Sequence, residues 1–578
     1  MAGSGGPWVG RVEREHVARA LFPPEREQPA PEQPRGAVVR VEACGAITPL
    51  AAPGSAAAQV YELLARHGVD PLHPPEVLAE AEAAAAAPGI SDPALVDLTG
   101  LPFVTIDGEA SRDLDQALHV ARAAGGYRLD YALADASYYV RPGTALLEES
   151  LRRGTSYYVP GMSAPMLPRA LSEGLISLNP AVERRALVFR HELDAAGRCA
   201  RTEVVRARVR SRAKLSYAGV QRFVDAPAAG PLAGQEYSES LLLLREVGEL
   251  RLRLAEERGV VEYDRTELEV ELASDGGFRV EVRERLASER WNEQVSLLCN
   301  MEGAALLEAG GPLDHVQPVF RVHPPPLAGR LEELEAAIAG VVRQQGLDEA
   351  WRWRRDAEEL GAYLARVAGR GEARRALVAI ERQVRYANRA SEFRPEPGPH
   401  YALRVQGYAR FSAPMREVVG IFTHKEALER LGLAKPPPDP ASDEALRARA
   451  IEAANEARLR QRALTKEAEG LAIDELLRDD LALPPAGRPA RRGTVIGVAS
   501  SRLYVALDEF PIDLKVYRED LEALHGQAYQ ADRALTQLSP KGAGDAPRFR
   551  MGDGVTLRTH AYDDQRRRWA FDARLESS

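Results

Sequence analysis

Short stretches of alternating apolar and polar residues run through much of the chain, and longer stretches carry apolar residues at helical spacing. YRLDYALAD alternates as a β-strand does, whereas WNEQVSLLCNMEGAALLE repeats its apolar residues every three or four positions, as one face of a helix does. Both patterns occur between about residue 95 and about residue 430. This mixture predicts one large α/β or α+β domain in that part of the chain.

The first 90 residues are rich in Ala, Pro and Glu. QPAPEQPR and EAEAAAAAPG are typical of linkers or of helical low-complexity segments. Between them, residues 37–41 form a possible strand and residues 59–67 a helix with one apolar face. We expect one small domain over residues 1–90, interpreted as a small helical domain, a helix-turn-helix with a β-wing.

Two proline-rich breaks, KPPPDP and PPAGRPARRG, divide the rest of the chain. After the first, Ser442 is a candidate N-cap of a long helix that continues to about residue 467. After the second, GTVIGVASSRLYVALD, MGDGVTLRTHAYDD and RRRWAFDARL alternate in short strands, which predicts a small β-barrel. The fold class is therefore multidomain α+β, with a small domain at 1–90, a large domain at 91–434, a helical connector at 435–487 and a barrel at 488–578.

The composition of the chain indicates a globular protein of ordinary kind and bears on its cellular compartment. The chain has 578 residues, of which 45% are hydrophobic and 28% charged, and this is ordinary for globular proteins. Its apolar runs are far shorter than the roughly 20 residues of a membrane helix, so no membrane association is expected. No secretory signal opens the sequence, and the three cysteines form no CxxC pair, which favours a reducing cytoplasm. The formal net charge of -9 means that any nucleic-acid binding depends on local basic surfaces.

An acidic cluster carries the clearest candidate chemistry. In FVTIDGEASRDLDQAL, Asp113 and Asp115 are two positions apart and lie on one side of an extended segment. Asp107 could fold back over a turn at Gly108 to join them. Three close carboxylates repel one another unless a cation such as Mg²⁺ neutralises them, and such a site could activate water for displacement at phosphorus. Spacing alone leaves an acidic surface loop as the alternative, because DxD is common.

Other catalytic motifs are missing from the sequence. It has no GxxxxGK[ST] phosphate loop, no HExxH zinc helix and no GxSxG elbow. Its 11 histidines do not cluster at metal-ligand spacing.

Cations and aromatic residues offer a nucleic-acid surface. Every second position of one segment is basic, so a strand there would carry all of these cations on one face: Arg206, Arg208, Arg210, Arg212 and Lys214. Such a face needs a polyanion or nearby acids, and the alternative is an edge strand protected by charge. Nearby tyrosines could stack on bases or pack in the core: Tyr157, Tyr158, Tyr217 and Tyr263.

Four stretches together resemble the catalytic domain of the ribonuclease II (RNB) family. In chain order they are LTGLPFVTIDGEASRDLDQAL, RRGTSYYVPGMSAPMLPRALSEGLISLNP, WNEQVSLLCNMEGAALL and RPEPGPHYALRVQGYARFSAPMR, and the resemblance covers roughly residues 95–430. It implies Mg²⁺-dependent, processive 3′→5′ hydrolysis of single-stranded RNA that releases nucleoside 5′-monophosphates. The substrate would thread through a channel to a buried site.

The resemblance also implies roles for particular residues. Asp107, Asp113 and Asp115 match three of the family's four clustered aspartates, which bind metal, and catalysis depends most on the one at Asp115. Arg416, in SAPMR, matches an arginine that clamps the scissile phosphate. The other matched positions contact RNA: Tyr158 and Tyr263 stack on the terminal bases, and Tyr217 and Glu293 contact ribose. If the substrate is RNA, its backbone is also a polyanion that the alternating arginines Arg206, Arg208 and Arg210 could bind.

The sequence departs from the family pattern at three positions. Gln116 replaces the fourth aspartate, and its amide oxygen coordinates Mg²⁺ more weakly than a carboxylate does. Gln294 stands in place of a second glutamate, and Gly420 in place of an acid after the arginine segment. We expect a weakened enzyme that needs more metal rather than an inactive one.

Both ends of the chain bear on the resemblance. The family begins with two cold-shock-like barrels, and about 90 residues cannot hold two. Residues 493–575 resemble the family's closing OB-fold, an RNA-binding barrel, to which Arg566, Arg567, Arg568 and Trp569 would add charge and a stacking ring. A solvated turn is the alternative for that arginine run.

The sequence supports three hypotheses about function. We expect a monomeric, cytoplasmic Mg²⁺-dependent exoribonuclease. The first rival is an RNA-binding pseudo-nuclease that lost its metal site with the fourth aspartate. The second is an enzyme that degrades DNA as well as RNA.

Overall fold

The computed structural model describes residues 6–261, 266–309, 315–371, 373–542 and 547–576. Within this part of the chain, no helix is both long enough and apolar enough to cross a membrane.

The N-terminal part is a β-sheet followed by helices. Its elements are β1 (Trp8–Val12), β2 (Val17–Ala20), β3 (Glu27–Pro29), β4 (Val38–Val41), β5 (Ile47–Ala51), α1 (Ala56–Arg66) and α2 (Pro75–Ala86). The strands pair antiparallel in the order β3-β2-β1-β4-β5. The strand predicted at 37–41 and the helix predicted at 59–67 are confirmed as β4 and α1.

The interpretation of residues 1–90 as a small helical domain with a helix-turn-helix is wrong, because residues 8–51 form a five-stranded sheet and the helices only follow it, at 56–86. These strands have three to five residues each, too few to give a periodic signal among Ala and Pro. Their stability comes from pairing and from a shared apolar core that includes Val12 and Val39. Such cross-strand contacts are not visible in a local sequence window.

The part from residue 91 to residue 434 contains most of the secondary structure. In chain order its elements are β6 (Val96–Asp97), β7 (Phe103–Asp107), β8 (Gln116–Ala123), β9 (Gly126–Ala134), α3 (Ala136–Tyr139), α4 (Ala145–Arg153), β10 (Tyr157–Val159), β11 (Met162–Ala164), a π-helical turn (Ala170–Leu175), β12 (Glu183–Asp194), β13 (Cys199–Ser216), α5 (Tyr217–Asp225), α6 (Ser238–Glu257), β14 (Thr266–Leu272), β15 (Phe278–Glu284), α7 (Ala287–Glu308), β16 (Phe320–Val322), α8 (Ala328–Gln344), a 3₁₀ turn (Glu349–Trp351), α9 (Leu360–Ala368), α10 (Arg374–Ala387), β17 (Glu392–Arg394), a 3₁₀ turn (Tyr401–Leu403) and α11 (Val418–Arg430).

One sheet organises this part. Its strands lie in the order β12-β9-β8-β7-β13-β6, and β12 also pairs with β13, so the sheet curls back on itself. The alternation predicted for YRLDYALAD is confirmed in β9: Leu129, Tyr131 and Leu133 enter one apolar core, and Ala132 and Ala134 enter the core on the opposite face. The helix predicted for WNEQVSLLCNMEGAALLE is α7.

The C-terminal part begins with a long helix and continues as strands. Its elements are α12 (Pro440–Ala482), a 3₁₀ turn (Pro485–Gly487), β18 (Arg491–Ala499), β19 (Arg502–Leu507), β20 (Asp513–Tyr517), α13 (Arg518–His525), β21 (Tyr529–Ala531), β22 (Gln537–Pro540), β23 (Phe549–Arg550), β24 (Gly554–Asp563) and β25 (Arg568–Leu575). The strands form one five-stranded sheet, β20-β19-β18-β24-β25, and one three-stranded sheet, β21-β22-β23.

The predicted start of the long helix is corrected by three residues. Asp439, not Ser442, is the N-cap, and its side chain accepts a hydrogen bond from the Ala441 N–H. Pro440 then occupies the first helical position, where its missing N–H costs nothing. The helix also continues to Ala482 instead of ending near residue 467.

Helices α8, α9 and α10 pack with the C-terminal sheet. Ile338 and Ile380 share one apolar core with Val505 and Val516, and Gln383 Nε2 donates to the main-chain oxygen at 496, at 2.7 Å. These helices lie within the predicted domain 91–434 along the sequence. Their packing nevertheless joins them to the segment predicted as 488–578.

Candidate active site

The aspartate segment runs between two neighbouring strands. Asp107 is the last residue of β7 and Gln116 the first residue of β8. Between them, Leu114 is fully buried, and its main-chain N–H donates to Ser177 Oγ at 3.0 Å. Because Leu114 points into the core, the adjacent side chains of Asp113 and Asp115 are presented on the other side, as the two-residue spacing predicts.

Asp115 is held by the segment that precedes α11. The carboxylate is only 2% exposed. Its Oδ1 accepts a hydrogen bond from the Met415 N–H at 2.8 Å, and its Oδ2 accepts one from Arg416 Nε at 2.5 Å. Two residues about 300 positions apart in sequence therefore meet in a charge-assisted contact, which is the stronger kind of hydrogen bond.

The carboxylates influence one another strongly. Burial raises the pKa of Asp107 to about 7; Arg416 opposes this rise, and the charges of Asp115 and Asp113 add to it. Burial likewise raises the pKa of Asp115 to about 6, again against Arg416. Asp115 in turn keeps the pKa of Arg416 well above its ordinary value, although burial opposes this. The site thus concentrates negative charge that a cation would stabilise.

Tyr158 lies beside the carboxylates with an exposed ring. Its hydroxyl donates to Asp113 Oδ2 at 2.8 Å, and the residue is 45% exposed. Its main-chain N–H and C=O both bind the Gln461 side-chain amide of α12, each at 3.2 Å. An exposed, fixed aromatic ring at this position is suited to stacking on a base.

The two residues predicted to contact ribose lie in different surroundings. Tyr217 begins α5 just after Ser216, which pairs with Asp107 across β13 and β7. Burial raises the pKa of Tyr217 to about 12, and Asp107 adds to the rise; the structure thus brings Tyr217 to the cluster. Glu293 lies on α7 and forms an ion pair with Arg285 at 3.0 Å.

Gln116 uses both ends of its amide within the protein. Its Oε1 accepts a hydrogen bond from the Tyr131 hydroxyl, and its Nε2 donates to the Ser412 main-chain oxygen at 2.6 Å. The Ser412 main-chain oxygen can only accept a hydrogen bond. An ionised aspartate at position 116 would have no N–H or O–H group to donate to it. Gln116 therefore ties β8 to the segment that leads to Met415 and Arg416.

The segment that ends at Arg416 is held by a residue that sequence reasoning missed. Asn300 of α7 is fully buried; its Oδ1 accepts from the N–H groups of Phe411 and Ser412, at 2.7 and 3.1 Å, and its Nδ2 donates to Ser412 Oγ at 3.0 Å. The available signal was a lone asparagine within the apolar stretch SLLCNMEGAALL. A buried amide with this many partners fixes the local backbone.

Two of the predicted RNA-binding arginines on β13 are paired with acids. Arg206 Nε lies 2.7 Å from Asp135, which is fully buried, and Arg208 lies 2.7 Å from Asp97. Arg210 is exposed. The five cations do alternate along a strand, but that strand pairs on both sides and is not an edge. Arg206 is ten residues, or about 30 Å along the strand, from the end beside the carboxylates, and its contact with RNA stays a prediction.

Three positions singled out in the sequence remain: Tyr263, Gln294 and Gly420. Tyr263 lies outside the described residues. Gln294 is buried at 5% exposure. A side chain at Gly420 would place its Cβ 2.8 Å from Pro414 Cα and 3.0 Å from the Ala413 oxygen, so the backbone turn before α11 accounts for glycine there.

A second acidic group among the described residues already contains a lysine ammonium. Glu426, Glu429 and Asp443 lie close enough to share a cation. The Lys425 ammonium lies between them, at 2.7, 2.9 and 2.7 Å respectively. This cluster is therefore a structural ion-pair network that joins α11 to α12.

Comparisons with known proteins identify the family of the chain and support its fold. The sequence matches the family described as the RNB domain over residues 95–425, more than half of the chain, and the chain belongs to that family. Ribonuclease R of Escherichia coli (strain K12) is 29% identical over 488 residues, and the match covers 82% of this chain. The chain spans only 57% of the length of that relative.

Two solved structures show the same fold. Mycoplasma genitalium RNase R in complex with ribose-methylated single-stranded RNA superposes with a TM-score of 0.81 at 16% identity, covering 98% of this chain and 89% of that one. Yeast Ssd1, described as a pseudonuclease, superposes with a TM-score of 0.61 at 14% identity, covering 94% of this chain and 69% of that one.

Proposed function

We propose that this protein is a Mg²⁺-dependent 3′→5′ exoribonuclease that hydrolyses single-stranded RNA to nucleoside 5′-monophosphates, working as a monomer in the cytoplasm. The observation that carries the proposal is Arg416 bound to the buried Asp115, with Asp107, Asp113 and an exposed tyrosine ring beside them. Membership of the RNB family supports the same activity.

The donor set fits a hard divalent cation. Asp107, Asp113 and Asp115 would supply oxygen ligands, which Mg²⁺ prefers. Burial, and to a smaller extent the neighbouring carboxylates, raises the pKa of Asp107 and of Asp115, and a bound cation would favour their charged forms. A bound Mg²⁺ would activate water and stabilise charge at phosphorus. We assign Gln116 a positioning role rather than full ligation, because both ends of its amide already have partners.

The protein's own side chains would orient the substrate. Arg416 binds Asp115 through Nε, and its terminal nitrogens make no hydrogen bond to any described residue, so they are available to a phosphate oxygen. Tyr158 would stack on a terminal base, with Tyr263 opposite, while Tyr217 and Glu293 would contact the ribose. Farther from the carboxylates, the positive charges of Arg206, Arg208 and Arg210 would attract the phosphates of the RNA.

We further propose four functional parts, with boundaries at residues 90, 434 and 487. The last would be an OB-fold that binds RNA; its edge strands β20 and β25 lie against each other, as closure of a barrel requires.

The first test follows a 5′-labelled single-stranded RNA over time with Mg²⁺ and with EDTA. We expect the full-length band to give way to a short fragment with Mg²⁺ only, since the carboxylates need the cation for chemistry. A DNA strand of the same sequence is the matched control, expected to stay intact because it lacks the 2′-hydroxyl. RNA that stays intact but shifts in a binding gel would contradict the proposal and favour a pseudo-nuclease.

The second candidate function is that pseudo-nuclease, and Gln116 is the observation that favours it. Replacing Gln116 with aspartate adds the fourth carboxylate of the family pattern. If the wild-type site works, we expect this variant to reduce the Mg²⁺ concentration for half-maximal activity by about tenfold, the scale on which partners of metal ligands act. The readout is RNA hydrolysis across a Mg²⁺ titration.

Gln116→Asn is the matched control, because it shortens the side chain equally without adding charge. Any effect that Gln116→Asp shares with it reflects the shorter side chain, because asparagine keeps the amide donor that aspartate lacks. A wild type without activity beside a Gln116→Asp variant that cleaves RNA would instead establish the pseudo-nuclease.

A further inference from the structure

Four arginines gather beside the active site on three separate elements. Arg321 lies in β16, Arg410 lies in the segment before α11, and Arg458 and Arg462 lie one turn apart on α12. We call them the arginine cluster. They are close enough to affect one another: burial lowers the pKa of Arg321 and Arg410 lowers it further, and burial with Arg321 and Arg462 lowers the pKa of Arg458 to about 10.

The cluster has too little negative charge of its own. Within the described ranges, Glu417 is the one carboxylate that forms an ion pair with any of the four, and it is bound to Arg410 at 2.9 Å. Arg321 and Arg458 instead donate to Ser391, a neutral partner, at distances of 2.7 to 3.3 Å. Arg321, Arg410 and Arg458 are partly buried and Arg462 is exposed. Cations in this arrangement repel one another unless an anion joins them.

The arginines of β13 provide a contrast within the same molecule. Arg206 and Arg208 each have a carboxylate at 2.7 Å, and Arg212 has Glu236 at the same distance. The charges of these three arginines are therefore paired within the protein. The surplus of positive charge is therefore a feature of the arginine cluster and not of arginine-rich surfaces in general.

The cluster is continuous with the proposed active site on two sides. Glu417, which binds Arg410, directly follows Arg416. Gln461, which precedes Arg462, holds both main-chain polar groups of Tyr158. A strand whose terminal base contacts the Tyr158 ring would therefore pass close to these arginines.

We propose that the arginine cluster is a phosphodiester-binding subsite that grips the RNA strand just before its 3′ end. The proposal rests on the proposed function for the identity of the polyanion. The four arginines would bind and position the RNA strand, because Arg416 is the residue proposed to bind the scissile phosphate. Arg458 and Arg462, the two arginines on α12, are the members of the cluster that we select for substitution.

The test measures the affinity of a short 5′-fluorescent oligoadenylate in EDTA, where no hydrolysis occurs, across about 50 to 200 mM salt. For single strands the slope of log affinity against log salt changes by about 0.7 for each phosphate contact. We expect Arg458→Gln and Arg462→Gln each to reduce the slope by about 0.7, and the double variant by about 1.4. In the hydrolysis assay we expect KM to rise while kcat is retained.

Arg449→Gln is the matched control. It removes the same charge from the same helix, but Arg449 is exposed and paired with Glu148 at 2.5 Å. A double variant whose affinity and slope equal those of Arg449→Gln would overturn the subsite. Thermal unfolding of each variant checks that it is folded, and Arg462→Gln, at an exposed position, keeps the test decisive if Arg458→Gln is unstable.

The binding assay also separates the subsite from the proposed function. A wild type that binds with an arginine-dependent slope but leaves RNA intact supports the subsite and contradicts hydrolysis. A wild type that hydrolyses RNA with slopes unchanged in every variant contradicts the subsite alone.

Discussion

Asp115→Asn is expected to abolish hydrolysis and to spare RNA binding. Asparagine has nearly the same shape, but its amide nitrogen cannot accept a hydrogen bond, whereas Asp115 accepts one at each oxygen, from Met415 and from Arg416. The variant also removes one negative charge from the proposed metal ligands. We expect hydrolysis to fall by at least about 10³-fold, the upper range for loss of one group that stabilises a transition state.

Two measurements on the same variant check this expectation. Single-turnover hydrolysis of a 5′-labelled RNA reports the chemical step, and the affinity for that RNA in EDTA reports binding. We propose that Tyr158 and arginines other than Arg416 bind the RNA, so binding should survive the loss of the Asp115 carboxylate. Asp275→Asn is the control, since Asp275 lies exposed in the turn between β14 and β15 and asparagine keeps its acceptor for the Gly277 N–H. Hydrolysis by Asp115→Asn near the wild-type rate would remove Asp115 from the mechanism.

The site could be predicted from sequence where its residues form contiguous motifs. Asp107, Asp113 and Asp115 fall within nine residues, and the spacing of the last two survives as a shared side of one segment with Leu114 in the core. Strands β9 and β13 and helix α7 were predictable for the same reason, because their periodicity is local and uninterrupted.

Other features depend on contacts between distant segments. The N-terminal sheet consists of strands with three to five residues, whose stability comes from pairing and not from propensity. Gln461 reaches Tyr158 across 303 positions, from a helix interpreted as a connector. Arg321 and Arg458 meet through Ser391. None of these contacts leaves a periodic or compositional trace in the sequence.

The sequence predicts only part of the role of Gln116. The sequence identifies it as a substitution in a row of acids, which suggests only a weaker metal ligand. The structure adds the Tyr131 hydroxyl on one side of its amide and the Ser412 oxygen on the other. Since Asn300 also holds Ser412, the glutamine belongs to the network that places Arg416 on Asp115.

The second large effect is expected from Arg416→Lys. The guanidinium can bind Asp115 through Nε and present its terminal nitrogens to a phosphate at the same time, whereas one ammonium serves as a single point charge. We expect kcat to fall by about 10² to 10³-fold, as when one preorganised donor to a developing charge is lost, with a much smaller change in KM. Steady-state hydrolysis of single-stranded RNA measures both constants.

The fold should tolerate this substitution, because the backbone of residue 416 makes its own contacts. The Arg416 main-chain oxygen accepts from the Ser156 N–H at 2.9 Å and from Thr155 Oγ1 at 2.7 Å, and neither contact involves the side chain. Arg449→Lys, which alters an exposed ion pair on α12, controls for the loss of a guanidinium elsewhere. A wild-type kcat in Arg416→Lys would mean that one positive charge beside Asp115 suffices, and that the fork geometry of arginine plays no part in the chemical step.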